Sequence, residues 1–322
     1  VLLYGISYHM TMEPPTNRAV IRKLQSLDNY IHIFYPSTRD WSFPINSKTE
    51  VSTANEKFRI NVNEWKKRAN FDFVLVDYNN KRNYAGLGLS DHINFGSNFD
   101  FFFDVEGGLY GYMHPLKLNP GPLQLTNSLI SELCWKDPAE NAQKISAEVI
   151  SNYFRKGYGK YQYEWKHIYD EMMRSVSNVK NIFGSESLSY VLFQNVYWKV
   201  PKYSDENKIA EFISRYRQGD IQDLPNGFYH EKTSRIKTEF IGLDESIRIQ
   251  ALAETKWEKI LNDVTDPIIR ERMEKDIEWF KTAKSRYLLM DHCCKLLLAK
   301  YNGLDTENLK QQIEKEINLL NK

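Results

Sequence analysis

The chain has 322 residues, with 43 Lys+Arg against 42 Asp+Glu and a formal net charge of +1. That balance argues against a strongly basic nucleic-acid binder and against a polybasic membrane-surface protein. With 42% hydrophobic and 26% charged residues it has a globular composition, long enough for two or three domains.

The first 115 residues read as strands alternating with irregular or helical connections. Val1–Ser7 (VLLYGIS) is a continuous apolar run, the pattern of a strand buried on both faces. Tyr30–Tyr35 is a second strand, introduced by Asp28-Asn29 and stopped by Pro36. Phe58–Ala69 reads as a helix with Phe58, Val62 and Trp65 on one face, leading into a third strand at Phe71–Tyr78. Leu109–Met113 is the fourth, after Gly107-Gly108. Strands this far apart, joined by crossovers, are expected to be parallel βα units.

From Pro122 onward the apolar period becomes helical. Asp137-Pro138-Ala139-Glu140 predicts a helix start, followed by the stripe Ala147, Ile150, Tyr153 and Phe154 and ended by Gly157 and Gly159. Tyr161–Val179 is the next helix. Val200–Gly227 reads as a boundary region with a short helix near Ile209–Tyr216. Thr238–Val264, Pro267–Tyr301 and Thr306–Leu320 follow, with Asp266-Pro267 and Asp305-Thr306-Glu307 as starts and Asn302-Gly303 as a stop. The expected organisation is a partial barrel over 1–135, helices packed on it over 136–200, and a helical domain over 201–322.

No apolar run approaches the roughly 18 residues of a membrane span. Aromatic residues are abundant at 14%, led by 20 Tyr, which suits either an aromatic core or sugar-stacking platforms. Cysteine is scarce: Cys134 stands alone and Cys293-Cys294 are adjacent, so neither a disulfide scaffold nor a metal site is expected. GxGxxG, GxxxxGK[ST], GxSxG and HExxH are all missing, and no cofactor is expected.

Parallel α/β folds gather function at the carboxyl ends of their strands. Those ends supply Tyr8, His9 and Glu13 after the first strand and Arg39, Asp40 and Trp41 after the second. Asp77, Tyr78, Asn79 and Asn80 follow the third, and Tyr112 and His114 mark the fourth. Carboxylates and hydroxyls beside aromatic faces are what pyranose recognition requires; strand-end loops are also polar for ordinary solvation reasons. Asp77 and Tyr78 form the sharpest pair. Asp77 either caps the next helix or orients a substrate amide or hydroxyl, with Tyr78 donating to developing charge. Asp104 and Glu106, just before Gly107-Gly108, read as a helix end, and Asp170-Glu171 and Asp244-Glu245 fall in helical context. The tryptophans Trp165, Trp198, Trp257 and Trp279 read as packing residues.

The ordered segments LLYGISYHMTMEPP, HIFYPSTRDW, NEWKKRANFDFVLVDY, GGLYGYMHP and LISELCWKDPAENAQKISAEVISNYFRKGYG resemble glycoside hydrolase family 163, over about residues 1–180. The resemblance is to the C-terminal half of that family's large domain. It implies the C-terminal half of a (β/α)8 barrel followed by an α-helical domain. The implied activity is endo-β-N-acetylglucosaminidase-type hydrolysis of N-glycans, in the periplasm or at the bacterial cell surface. The substrate's own 2-acetamido group would serve as nucleophile, with one carboxylate orienting it and a neighbouring Glu protonating the leaving oxygen. No acidic pair stands at a strand end here, so the general acid is expected upstream, in an N-terminal half of the same polypeptide; Val1, inside a strand, is expected not to be a native start. Asp77 and Tyr78 would then be the catalytic residues of this chain, and Tyr8, His9, Arg39, Asp40, Trp41, Asn79, Tyr112 and His114 the sugar contacts. The alternative is a non-catalytic carbohydrate-binding or scaffold protein with a helical interaction module.

Overall fold

The computed structural model describes residues 3–7, 13–35, 44–46, 53–68, 72–76, 92–104, 111–113, 121–136, 141–183, 234–301 and 304–320. The chain divides into two compact units, one within residues 1–156 and one taking in 157–322 together with Pro120–Pro122.

In the first unit, β1 (Leu3–Ser7), β2 (Tyr30–Phe34), β3 (Asp72–Val76) and β4 (Gly111–Met113) form one sheet in the order β1-β2-β3-β4. Every pair is parallel, with Ser7 opposite Phe34, Phe34 opposite Leu75, and Val76 opposite Met113. The intervening helices are α1 (Arg18–Gln25), α2 (Thr53–Arg68) and α3 (Phe95–Asp104), and α4 (Leu123–Trp135) and α5 (Ala142–Tyr158) follow. The unit is therefore of α/β class, with a helix in each crossover.

The expected two-sided burial of the first strand does not hold. Leu3 and Ile6 are both 44% exposed. Among the described residues β1 is an edge strand, with no neighbouring strand along one long side to exclude water. Burial is concentrated on β2 and β3, where Phe34, Phe73 and Leu75 pack against Phe58, Val62 and Trp65 of α2 and against Phe101 and Phe102 of α3. Spacings of four and three put the α2 residues on one face, as the sequence predicts. Rings meet edge-on through this layer, Phe34 on Phe73 at 4.8 Å between centroids.

Helix ends in this unit are closed by side chains. Asn17 caps α1, accepting from the Ala19 amide at 2.9 Å. The helix expected from Asp137 begins instead at Ala142, and residues 137–140 lie outside the described residues. Two caps fix the later start. Asn141 Oδ1 accepts from the Lys144 amide at 2.8 Å, and Asp100, from α3, accepts from the Ala142 amide at 3.0 Å.

The second unit is helical. One 3-10 turn, Gly159–Tyr161, leads into α6 (Gln162–Phe183), followed by α7 (Ser234–Asp263), α8 (Pro267–Tyr301) and α9 (Glu307–Leu320). Contacts run α6 to α7, α7 to α8 and α8 to α9. Trp165, Ile168, Tyr169, Met172, Trp257, Met273 and Phe280 form much of the core, so Trp165 and Trp257 are packing residues as expected. Asp266 Oδ1 accepts from the Ile268 amide at 2.9 Å with Pro267 at the first helical position, the predicted start of α8. The preceding helix end is closed by Arg270, which donates to the Leu261 and Val264 carbonyls, and by Tyr161, which donates to the Asp263 carbonyl at 2.6 Å. Gly121 has φ +104, and a Cβ there would lie 2.4 Å from Trp279 Cδ1. Only glycine satisfies both conditions. The short helix expected near 209–216 and the boundary region around it lie outside the described residues.

Candidate functional site

Because all four strands are parallel, Ser7, Phe34, Val76 and Met113 end them on one edge of the sheet. The candidate residues Tyr8 and His9 follow the first of these ends in the chain, Asp77, Tyr78 and Asn79 the third, and His114 the fourth. Those six, with Arg39, Asp40 and Trp41, lie outside the described residues. Tyr112 is the middle residue of β4, with its backbone opposite Leu75. Glu13 is exposed and paired with Lys57 of α2 at 3.0 Å. Asp104 is the exposed last residue of α3. Of the helical acidic pairs, Asp170 pairs with Lys166 at 2.7 Å, Glu171 with Lys256, and Glu245 with Arg248.

A polar chain that sequence reading did not single out runs from Ser7 at the carboxyl end of β1 through His32 in the middle of β2 to Tyr30 at its amino end. Ser7 Oγ is 2.6 Å from His32 Nε2, and Tyr30 Oη is 2.8 Å from His32 Nδ1. Tyr30 and His32 share one face of β2 by the two-residue period of a strand. The imidazole lies 4.1 Å from the Trp65 ring and 4.6 Å from the Phe34 ring and is 1% exposed. Burial pushes its pKa down to about 3, so the ring is neutral at pH 7, one nitrogen donating and the other accepting. A hydroxyl beside an imidazole is the beginning of a nucleophile and its base. Here Ser7 is fully buried, and the imidazole binds protons too weakly to act as a base near neutrality. The arrangement ties the carboxyl end of β1 to β2.

Gly5 makes room for it. A Cβ at Gly5 would lie 1.9 Å from Tyr30 Oη. Gly5→Ala is expected to displace that hydroxyl from His32 and to cost about 1–3 kcal/mol in urea denaturation. The double variant with Tyr30→Phe should recover part of the loss, because the clashing oxygen is gone. Strictly additive losses would mean that the two positions do not meet.

A second polar cluster, in the helical unit, is centred on Asp276, which is 1% exposed. Tyr158 donates to its Oδ2 at 2.6 Å and the Trp165 indole N–H donates to the same oxygen at 2.8 Å. The sequence carries a signal for it. Asp276 stands three residues after Met273 and four before Phe280, within the apolar stripe of α8. Among the described residues no three His, Cys, Asp or Glu side chains are grouped so as to hold a metal ion, and no helix is long and apolar enough to cross a membrane. No family model matches the chain, and no curated protein or solved structure matches it either.

Proposed function

We propose that this chain forms the sugar-lining part of a glycoside hydrolase acting on N-acetylglucosamine-containing glycans, and that its sheet is half of a (β/α)8 barrel. The observation that carries this reading is the sheet itself: four parallel strands in chain order, with their carboxyl ends on one edge and aromatic and polar segments next in the chain. The exposed Leu3 and Ile6 on the edge strand support a sheet that continues past β1. The ordered segments that resemble glycoside hydrolase family 163 supply the chemistry.

In that chemistry the 2-acetamido oxygen attacks the anomeric carbon as the glycosidic bond breaks, and a carboxylic acid protonates the leaving oxygen. Asp77 would orient the amide and accept its N–H, and Tyr78 would donate to charge developing on the ring or the amide. Tyr8, His9, Arg39, Asp40, Trp41, Asn79, Tyr112 and His114 would bind the flanking sugars. The proton donor is assigned to a strand upstream of β1, and the location to the periplasm or the bacterial surface. The second reading, a non-catalytic carbohydrate-binding or scaffold protein, is favoured by one observation: Asp170, Glu171 and Glu245 are helical and ion-paired.

The test is incubation of the complete polypeptide with a panel of N-glycosylated proteins and mass spectrometry of the products. Release of glycans cut within the chitobiose core supports the enzyme; binding without release supports the second reading; neither rejects both. Asp77→Asn and Tyr78→Phe are each expected to lower turnover at least tenfold, about 1.4 kcal/mol or more of transition-state stabilisation. Unchanged rates in both variants would remove the pair from the site.

A further inference from the structure

Between α5 and α6 the chain turns through a single 3-10 turn, with Gly159 at φ +54. This elbow is fastened to α8 through Asp276 and Arg272. Tyr158, the last residue of α5, is fully buried and donates to Asp276 Oδ2 at 2.6 Å. Trp165, in the first turn of α6, stacks on Tyr158 at 5.8 Å between ring centroids and donates to the same oxygen at 2.8 Å. Tyr169, one turn further, has its hydroxyl 3.1 Å from that of Tyr158 and also hydrogen-bonds the carboxyl. The Arg272 guanidinium lies 4.8 Å over the Tyr158 ring. It reaches that position because residue 157 is glycine: a Cβ there would be 2.6 Å from Arg272 Cζ.

Two demands on Asp276 oppose each other. Three donors and a nearby cation favour the ionised carboxylate, whereas complete enclosure removes the water that would otherwise solvate it. We propose that Asp276 is a proton-operated brace for the α5–α6 elbow, holding the elbow against α8 more firmly when the carboxyl is protonated than when it is ionised.

Burial is the stronger influence and lifts the pKa to about 6, against the pull of Tyr158, Trp165, Tyr169 and Arg272. Since the folded value lies above the unfolded one, the folded state holds this proton more tightly. The stabilisation is complete in acid, below the ordinary carboxylate range, and is lost as pH rises through about 6. The polar or charged groups facing the carboxyl are Tyr158 from α5, Trp165 and Tyr169 from α6, and Arg272 from α8 itself. From α7, the uncharged Trp257 stacks on Phe280, which in turn meets Tyr169 edge-on. Asp276 is a positioning residue in this scheme. It moves no substrate proton.

The test uses the full chain and measures amide hydrogen exchange over residues 157–170 at pH 5 and 7.5, corrected for intrinsic chemical rates. Protection of the elbow is expected to fall by about tenfold from pH 5 to 7.5, and to be nearly independent of pH in Asp276→Asn. A carbon-13 titration of the wild-type carboxyl gives a second readout that needs no variant to fold, with an expected midpoint near 6. Elbow protection that does not change with pH, or that changes equally in Asp276→Asn, or a midpoint in the ordinary carboxylate range, would overturn the proposal.

Discussion

Acidification from pH 6.5 towards 3 is expected to remove about 4–5 kcal/mol from the stability of the sheet unit through His32 alone. Its pKa is depressed from 6.5 to about 3 because the ring is enclosed between Trp65 and Phe34, so protonation must place a charge out of water. The unfolded chain takes up that proton near 6.5 and the folded chain resists until about 3. The contribution is therefore complete above pH 6.5 and lost progressively below it. Hydrogen bonding does not set the direction: both Ser7 and Tyr30 carry hydroxyls that can accept from an imidazolium, so the loss comes from desolvation. His32→Gln keeps an amide near Nε2 and cannot titrate. At pH 7 it should cost about 1–3 kcal/mol for the lost Tyr30 bond and ring contacts. At pH 4 that penalty should vanish or reverse. Urea denaturation of both proteins at several pH values reads the difference directly. Parallel curves for wild type and His32→Gln would show that the histidine does not carry the acid sensitivity.

What could be read in the sequence was the part governed by local chemistry. Asp266-Pro267 marks the observed start of α8, because a cap and a fixed φ act within a few residues; the expected stop at Asn302-Gly303 lies outside the described residues. Phe58, Val62 and Trp65 announce the buried face of α2 by spacing alone. The parallel strands were legible from apolar runs separated by crossovers, since a hairpin cannot span such distances. The start of α5 was not. Asp137 is a good local cap, but Asp100 reaches the Ala142 amide from another helix, and no local pattern reports a partner 42 residues away. The exposure of Leu3 and Ile6 was equally hidden, because an apolar run does not say which strand lies at an edge. His32 and Asp276 both stand at apolar positions of their own periodicity, in β2 and in α8. Each was visible as a polar residue out of pattern, and only the fold names its partners. The candidate sugar contacts were inferred from strand ends, and the observed parallel order brings those ends to one edge.

In the helical unit the largest single effect is expected from Trp165→Ala, with a loss of about 3–5 kcal/mol. Trp165 is fully buried, stacks on Tyr158 and donates to Asp276, so the change removes apolar contact, a stacked ring and a hydrogen bond together. At roughly 2–4 °C per kcal/mol for a unit of this size, the melting temperature should fall by about 10 °C. Trp165→Phe separates the contributions. It retains a ring against Tyr158 and removes only the indole N–H donated to Asp276 Oδ2, which still accepts from Tyr158. That loss should be about 1–2 kcal/mol at pH 7.5, where Asp276 is ionised and depends on its donors, and smaller at pH 5, where the neutral carboxyl depends on them less. Calorimetry or urea denaturation at the two pH values distinguishes the cases. A Trp165→Phe loss equal at both would assign the whole effect to packing. A pH-dependent loss ties the indole to the charge on Asp276, and with it the elbow between α5 and α6 to the protonation of a single carboxyl on α8.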